Sequence, residues 1–244
     1  MENILASLQI EEEEESGDKE LWEIEIEENL TEQAINFCLI GCFFTTTTIN
    51  FQSMRTVMAN LWYTIRGVSI TDIGEKSILF RFFCKVDRDR VVKGSPWTFN
   101  NHLFIIFMLK VGEDTLEVPL NNANFWVQIP DLPSGLYSEN IARQFGDFIG
   151  SFIKYDTKAI TASLRNIMRI RVQVDVRKPL KRRKRLLVAK SKEFCVSFKY
   201  EKLTTFYFLC GRLGHGESFC PIRMYHGSKD LPMEWDISLR ALPR

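Results

Sequence analysis

The stretch Phe37-Cys-Leu-Ile-Gly-Cys-Phe-Phe44 decides the first fold prediction, because eight apolar or small residues stand together in it. The surrounding segment 34–47 is rich in aromatic and β-branched residues, which is typical of a buried strand. A membrane-spanning helix needs about 20 apolar residues. This run, and the shorter run at 103–109, are therefore predicted to be core strands, and no membrane helix is expected.

The segments that follow this strand alternate between helical and strand patterns. Asn50 is predicted to cap a helix, because apolar residues recur behind it at three- and four-residue spacing. Two alternating stretches, 68–73 and 77–84, are separated by a glycine and predict a hairpin. A short helix at 87–93 and a strand at 103–110 complete the order β-α-β-β-α-β, the ferredoxin-like arrangement. RNA-recognition-motif domains share this layout, although their glycine-aromatic signature is absent here.

A second α/β pattern follows, with strands predicted at 124–129, 150–155, 168–176 and 194–200 and a helix after Ser138. The predicted fold class is therefore α+β, with a ferredoxin-like or RRM-like N-terminal domain and a zinc-knuckle-like loop near the C-terminus. The predicted parts are an acidic tail (1–32), an α/β domain (33–112), a second α/β segment (113–205), a knuckle-like motif (206–222) and a C-terminal tail (223–244).

Formal charge is distributed unevenly along the 244 residues, although its sum is only +1. Residues 1–32 carry a net charge of −12, residues 33–150 are neutral and residues 151–244 carry +13. The acidic tail includes five consecutive glutamates, which repel one another, so it is predicted to be disordered. The asymmetry predicts a nucleic-acid partner, or a contact of the acidic tail with the basic part of the same chain.

The basic charge is concentrated in residues 177–192, which hold nine Lys or Arg residues and no acid. Because this run lies between two predicted strands, we expect it to form an exposed basic hairpin. Cations that neutralise phosphates release condensed counterions, which favours binding to RNA or single-stranded DNA. Five adjacent bases at 181–185 also fit a nuclear-import signal, so the nucleus is the expected location, with the cytoplasm second. The candidate contacts are Arg177, Lys178, Lys181, Arg182, Arg183, Lys184, Arg185, Lys190 and Lys192.

A segment near the C-terminus predicts metal chemistry. Cys210-x₄-His215-x₄-Cys220 matches the last three ligands of a C-x₂-C-x₄-H-x₄-C zinc knuckle, and two glycines let so short a loop wrap an ion. The first ligand position holds Tyr207. Phenols are poor zinc ligands at neutral pH, since they ionise only near pH ~10. Zinc is therefore expected to bind weakly or not at all, and Tyr207→Cys is expected to restore it.

Other residues are candidates for the fourth zinc ligand or for contacts with bases. Cys195 and His226 are alternative fourth ligands, and neither stands at knuckle spacing. The cysteines of the N-terminal half are predicted to be buried, reduced thiols, because no secretory signal is expected. Asp87 is predicted to lie on a solvated face at a helix start. The predicted base contacts of the knuckle are Phe206, Phe208, Arg212 and Leu213.

The chain resembles a plant family, retrotransposon-derived and gag-like, that joins a "domain of unknown function 4283" to a zinc knuckle. The resemblance covers roughly residues 33–244. It is carried by Phe37-Cys-Leu-Ile-Gly41, Asn50-Phe51, Met58, Leu61-Trp62, Gly94-x-Pro96-Trp97-x-Phe99, Asn101-His102, Phe125-Trp-Val-Gln128, Leu132-Pro133, Met168-Arg-Ile-Arg-Val172, Asp175-Val-Arg-Lys-Pro-Leu180, Phe198-Lys-Tyr-Glu201 and the knuckle.

The resemblance implies RNA or DNA binding without catalysis, with Cys210, His215 and Cys220 as zinc ligands and Tyr207 breaking the pattern. It also matches Phe208 and Leu213 to the knuckle's base-contacting apolar positions. No phosphate-binding loop, G-x-S-x-G or H-E-x-x-H motif occurs, so no enzyme and no small-molecule substrate is expected.

Two functions remain open. The first is a protein that binds RNA or single-stranded DNA through the basic hairpin and the degenerate knuckle. The second is a protein-interaction or assembly module, self-association included, whose nucleic-acid and zinc binding has decayed.

Overall fold

The computed structural model describes residues 37–241, apart from 111–112, 116, 134, 158–166, 189–191 and 228. The predicted acidic tail at 1–32 lies outside the described residues. None of the helices described is long and apolar enough to cross a membrane.

The first sheet follows the predicted order of elements. Its strands lie in the order β2-β3-β1-β5-β4, and all neighbouring pairs are antiparallel. This arrangement confirms the ferredoxin-like prediction, with β4 as an added short edge strand. The elements are β1 (Cys38–Phe44), α1 (Phe51–Trp62), β2 (Val68–Gly74), β3 (Ser77–Phe82), α2 (Lys85–Gly94), β4 (Trp97–Phe99) and β5 (His102–Met108).

Both helices cover one face of this sheet. The Asn50 side chain accepts a hydrogen bond from the Ser53 amide at 2.9 Å, which caps α1 as predicted. From α1, Met54, Met58 and Trp62 enter a core with aromatic and aliphatic residues of the strands. Strand side chains alternate between two faces, so the same strands present a second apolar set on the opposite side.

Asp87, at the start of α2, is buried, and the prediction of a solvated face is wrong. Its carboxylate accepts hydrogen bonds from the Ile65 and Arg66 amides at 2.9–3.0 Å. Burial raises the pKa of Asp87, but these amides and the neighbouring Cys84 and Arg90 outweigh it and lower the pKa overall. The residue fixes the 65–66 turn to the helix.

The outer face of the first sheet, opposite the helices, is closed by the chain itself. Leu103 and Ile105 of β5 belong to the core of the second part of the chain, and Cys42 and Phe44 of β1 pack against that core. The β1 end of the same face packs against the segment that contains Val118 and Leu120. In RNA-recognition-motif domains the sheet stacks bases. Here that face is filled with apolar side chains.

The second part of the chain contains a four-stranded sheet in the order β11-β6-β8-β7 and a two-stranded ribbon of β9 and β10. Strands β6 and β8 pair along their whole nine-residue length. Helix α3 buries Ala142, Phe145 and Ile149 in the core. The elements are β6 (Asn122–Pro130), α3 (Glu139–Ile149), β7 (Ser151–Tyr155), β8 (Ile167–Asp175), β9 (Arg183–Val188), β10 (Lys192–Ser197), β11 (Lys199–Tyr200) and α4 (Pro221–His226).

Arg171 of β8 joins the two sheets. Arg171 is buried, with only 7% of its surface exposed. Its guanidinium group donates to the carbonyls of Lys93 at 2.8 Å and Ser95 at 3.0 Å. These carbonyls belong to the end of α2, where backbone acceptors lack helical partners and carry partial negative charge. Burial lowers the pKa of Arg171, and nearby Arg169 lowers it further. The carbonyls stabilise the buried charge.

The segment after the knuckle, predicted to be a tail, packs on the second sheet instead. Leu239 is buried in its core. Arg240 donates to the Leu203 carbonyl at 2.9 Å, and the Ala241 amide donates to the Tyr200 carbonyl at 3.0 Å. Burial of Leu239 and the backbone hydrogen bond to Tyr200 therefore hold the C-terminal segment on the sheet, although its polar composition is typical of a loop.

Candidate zinc and nucleic-acid site

The structure brings the three predicted zinc ligands together. The ligand atoms of Cys210, His215 and Cys220 all lie within 4.8 Å of one another. The Cys210 Sγ and the His215 Nε2 are 3.2 Å apart. Zinc binds thiolate sulfur at about 2.3 Å and imidazole nitrogen at about 2.0 Å in tetrahedral geometry. The three side chains fit three corners of such a site.

Backbone groups orient these ligands. The His215 Nδ1 lies 3.2 Å from the Leu213 carbonyl. Donation to this carbonyl assigns the proton to Nδ1 and leaves Nε2 free to bind a metal. Burial raises the pKa of the Cys210 thiol and nearby Cys220 raises it further, whereas the Arg212 amide lowers it. A metal ion therefore has to displace a proton there.

Tyr207 occupies the position of the missing ligand without acting as one. Its ring packs against the cluster of Leu209, Cys210 and Cys220. Its phenol oxygen accepts a hydrogen bond from Arg223 Nη2 at 3.5 Å. Within the described residues, the ligand group contains neither Cys195 nor His226. The fourth corner is thus left without a protein ligand of zinc type.

The two glycines of the loop allow close packing as well as a tight turn. Gly211 and Gly214 have φ angles of 65° and 82°, which other residues rarely adopt. A Cβ atom at Gly214 would lie 2.5 Å from the Phe44 ring. A Cβ atom at Gly211 would overlap the ring of Trp235. The loop therefore packs directly on β1 and on the C-terminal segment.

This close packing corrects part of the predicted base-binding surface. Phe206 is 6% exposed and Leu213 is 1% exposed, and both belong to the core of the second sheet. Their predicted exposure to bases is wrong, because the loop lies against the protein at this point. Phe208 is 38% exposed, with its ring 5.2 Å from that of Phe206. Its contact with bases stays a prediction.

The basic run enters one strand of an antiparallel pair, in agreement with the predicted exposed basic hairpin, although it lies along the strand and not only at the tip. Arg183 to Arg185 lie in β9, which pairs with β10 over Arg183–Val188. Arg183 and Arg185 are exposed on the outward face, whereas Leu186 packs against the core. The leucines and valine that follow the bases favour this pairing. Residues 189–191, with the predicted contact Lys190, and the side chain of Lys192 lie outside the described part of the chain.

Several of the predicted cations have partners within the protein. Arg185 pairs with the exposed Glu193 of β10 at 3.4 Å. Arg177 forms an ion pair with Asp175 at 2.9 Å, and Lys178 approaches the same carboxylate at 3.8 Å. The hydrogen bond from Arg177 lowers the pKa of Asp175, although burial opposes it. Lys184 lies over the Phe148 ring, with its ammonium 4.4 Å from the ring centroid, and Lys181 lies over the same ring at 5.5 Å. Both lysines are exposed, Lys184 within β9 and Lys181 just before it.

Backbone contacts connect the basic strand to the knuckle. The Leu180 amide donates to the Gly211 carbonyl at 2.9 Å. Trp235 Nε1 donates to the Leu180 carbonyl, also at 2.9 Å. The Arg182 guanidinium lies 5.9 Å from the centroid of the Trp235 ring. Trp235 thus fixes the two parts of the site together, although no motif in the sequence includes it; an isolated tryptophan in a polar segment is the only signal.

Comparisons with known proteins agree with the domain order. Residues 31–112 match the family described as "Domain of unknown function (DUF4283)" and residues 174–222 match "Zinc knuckle". The chain is 24% identical over 138 residues to "Uncharacterized protein At4g02000" of Arabidopsis thaliana. The match covers 57% of this chain and 43% of the relative, so the chain spans less than half the length of that protein.

Two solved structures are also similar at low TM-score. One is the RNA binding domain of Hrp1 in complex with RNA, at 9% identity and a TM-score of 0.27, over 56% of this chain and 80% of that chain. The other is the Sex-lethal RNA recognition domains 1 and 2 from Drosophila melanogaster. It has 14% identity and a TM-score of 0.24, over 56% of this chain and 85% of that chain. The two domain matches confirm the predicted architecture: the chain joins a DUF4283 domain to a zinc knuckle.

Proposed function

We propose that the protein binds RNA or single-stranded DNA, with little sequence preference, on the surface formed by β9 and the knuckle. The observation that carries this proposal is the direct connection of the two parts. The exposed cations of β9 follow Leu180, whose amide is hydrogen-bonded to Gly211 of the knuckle loop. One strand of nucleic acid can therefore contact both.

The binding energy in this proposal comes mainly from phosphates. Arg183 and Arg185 are exposed on one face of β9, and Lys184 within the strand and Lys181 just before it are also exposed. Each contact with a phosphate releases counterions, and on single strands it makes the slope of log K against log salt concentration steeper by about 0.7. Arginine also offers a planar donor group that matches phosphate oxygens. Zinc, where bound by the three ligands, would hold the shape of the loop and contribute no reaction step.

The closed outer face of the first sheet supports the same location. A base cannot stack there unless Leu103, Ile105 and Phe44 are first separated from the second core. β9 and the knuckle, in contrast, present their cations at the surface, where a phosphate competes only with exposed contacts such as the pair of Arg185 with Glu193 at 3.4 Å. We therefore place the binding surface in the second part of the chain.

The proposal extends to the catalysis, the origin and the location of the protein. The protein is non-enzymatic, it derives from a retrotransposon of plants, and it acts in the nucleus. The Arabidopsis relative supports the plant origin. The five bases at 181–185 support nuclear import, which a fusion to a reporter too large for passive diffusion would test, with and without these charges.

The binding test removes three charges from β9. The variant Arg183→Gln/Lys184→Gln/Arg185→Gln should bind a fluorescent ten-nucleotide RNA at least about tenfold more weakly than the unmodified chain, and its salt slope should be smaller by about 2. Fluorescence anisotropy between 50 and 300 mM salt measures both quantities. The affinity for a DNA strand of the same sequence shows whether binding depends on the ribose 2′-hydroxyl.

The matched control removes three exposed cations from the first domain, as Arg55→Gln/Arg66→Gln/Arg81→Gln. It changes net charge equally and should leave the salt slope nearly unchanged. Equal losses in both triple variants would mean that binding is only a response to net charge. If the unmodified chain binds neither strand, the proposal is wrong and the alternative, a protein-interaction module, gains support.

A further inference from the structure

We propose that a pocket between the knuckle and α4 accepts one unstacked base of the bound strand, with Arg212 contacting the adjacent phosphate. This inference rests on the proposed function and adds a base-binding site that the knuckle motif does not contain. The pocket has a volume of about 280 Å³. Its lining residues are Cys210, Arg212, Pro221, Ile222, Tyr225 and His226.

The fold places exposed aromatic groups at this pocket. Tyr225 is 86% exposed, and its ring lies edge-to-face with that of His226 at 5.0 Å. Ile222, one turn earlier on α4, is also exposed. Solvent-exposed aromatic and aliphatic side chains beside a cation are the combination on which bases stack in single-strand binding proteins.

Helix α4 is held firmly next to the knuckle. It begins directly after the zinc-ligand position Cys220, and the Met224 amide donates to the Cys220 carbonyl at 2.9 Å. Arg223 of α4 is not among the lining residues of the pocket: it donates to the Tyr207 phenol at 3.5 Å and pairs with Glu217 at 3.2 Å. These contacts fix the helix, so that Tyr225 lies on a supported element.

Arg212 supplies the charge at the other wall. Its backbone amide is used by the Cys210 thiol and its carbonyl accepts from the Tyr207 amide, while its side chain is exposed. The knuckle positions expected to contact bases include two that are buried, Phe206 and Leu213. An exposed surface on which a base can stack therefore lies on α4, next to a cation and adjacent to the basic strand through Gly211.

The experiment compares Tyr225→Ala, Tyr225→Phe and Arg212→Gln in the full chain, using the ten-nucleotide RNA and the DNA of the same sequence. Tyr225→Ala, which removes the ring, should weaken binding to both the RNA and the DNA at least about fivefold. The salt slope should not change, because stacking involves no charge. Tyr225→Phe should bind like the unmodified chain. Arg212→Gln should make the slope of log K against log salt concentration shallower by about 0.7.

Tyr63→Ala is the matched control, since Tyr63 is 80% exposed in the first domain, and it should bind normally. Zinc content and unfolding by urea should be the same in all variants, which separates stacking from folding. If Tyr225→Ala binds normally while the β9 triple variant loses affinity, the pocket proposal is wrong and the proposed function stands. If the β9 variant is also unaffected, both are wrong.

Discussion

Two surfaces of this protein could be expected to contact nucleic acid, and they differ in what covers them. The outer face of the first sheet is apolar and packs against the second core through Leu103 and Ile105. The surface of β9, the knuckle and α4 carries exposed Arg183, Arg185 and Tyr225 and is joined by backbone hydrogen bonds. The ferredoxin-like topology therefore does not locate the binding surface, because function depends on the groups a fold exposes.

The largest expected difference between these regions is in thiol reactivity. Burial raises the pKa of Cys42, on the closed face, to about 11, with Lys76 opposing the rise. Only the thiolate reacts, so at pH 8 about 0.1% of the Cys42 thiol is reactive. Alkylation of Cys42 by iodoacetamide should be about 200-fold slower than that of exposed Cys195 on β10. Peptide mapping by mass spectrometry measures both rates.

The sign of the pH dependence follows from the same pKa. Between pH 8 and pH 10 the Cys42 rate should rise about tenfold per pH unit, because the pKa has not yet been reached. Comparable rates for Cys42 and Cys195 at pH 8 would show that the outer face of the first sheet opens freely. Base stacking on that sheet would then have to be reconsidered.

Zinc affinity tests the open region next. Tyr207→Cys supplies the missing thiolate and should raise zinc affinity about 100-fold, because the three-ligand site then gains a fourth metal–ligand bond. Tyr207→Phe is the control, because it removes the phenol oxygen without adding a ligand. Competition with a chromophoric chelator measures the change. Stoichiometric, tightly held zinc in the unmodified chain would contradict this prediction.

The smallest expected effect concerns the contact that joins the two regions. Gly214→Ala places a Cβ against the Phe44 ring and strains a φ angle of 82°. It should lower the free energy of unfolding by about 2 kcal/mol more than Gly74→Ala, whose φ is 85° and whose Cβ would meet nothing within 4 Å. Urea denaturation measures both. Equal losses would mean that the loop moves away from β1 without cost.

Local patterns predicted the elements well, because hydrophobic periodicity reflects a strand or helix with one buried face. The α1 helix with its Asn50 cap and the antiparallel order around β1 follow directly from such patterns. The Cys210, His215 and Cys220 group could also be found, since ligand spacing is local.

Long-range packing is what the sequence could not provide. Arg171 looks like a surface cation in an alternating strand, yet it binds carbonyls nearly 80 residues away in the chain. Leu213 matches a base-contacting position of the knuckle, yet the approach of Gly214 to Phe44 buries it. The pattern at 181–185 predicts a basic hairpin but not that the strand begins within the basic run at Arg183, because the charge conceals the pairing of β9 with β10.

The Arg171 contact has a consequence for how such proteins are divided for study. The matched domain ends at residue 112, but the side chain that binds the end of α2 comes from β8. A fragment ending at 112 would expose the apolar face of its sheet and leave the helix carbonyls without their donor, which favours aggregation over a soluble unit. The unit defined by sequence matching is thus smaller than the unit that folds, and fragments of this chain should retain β8.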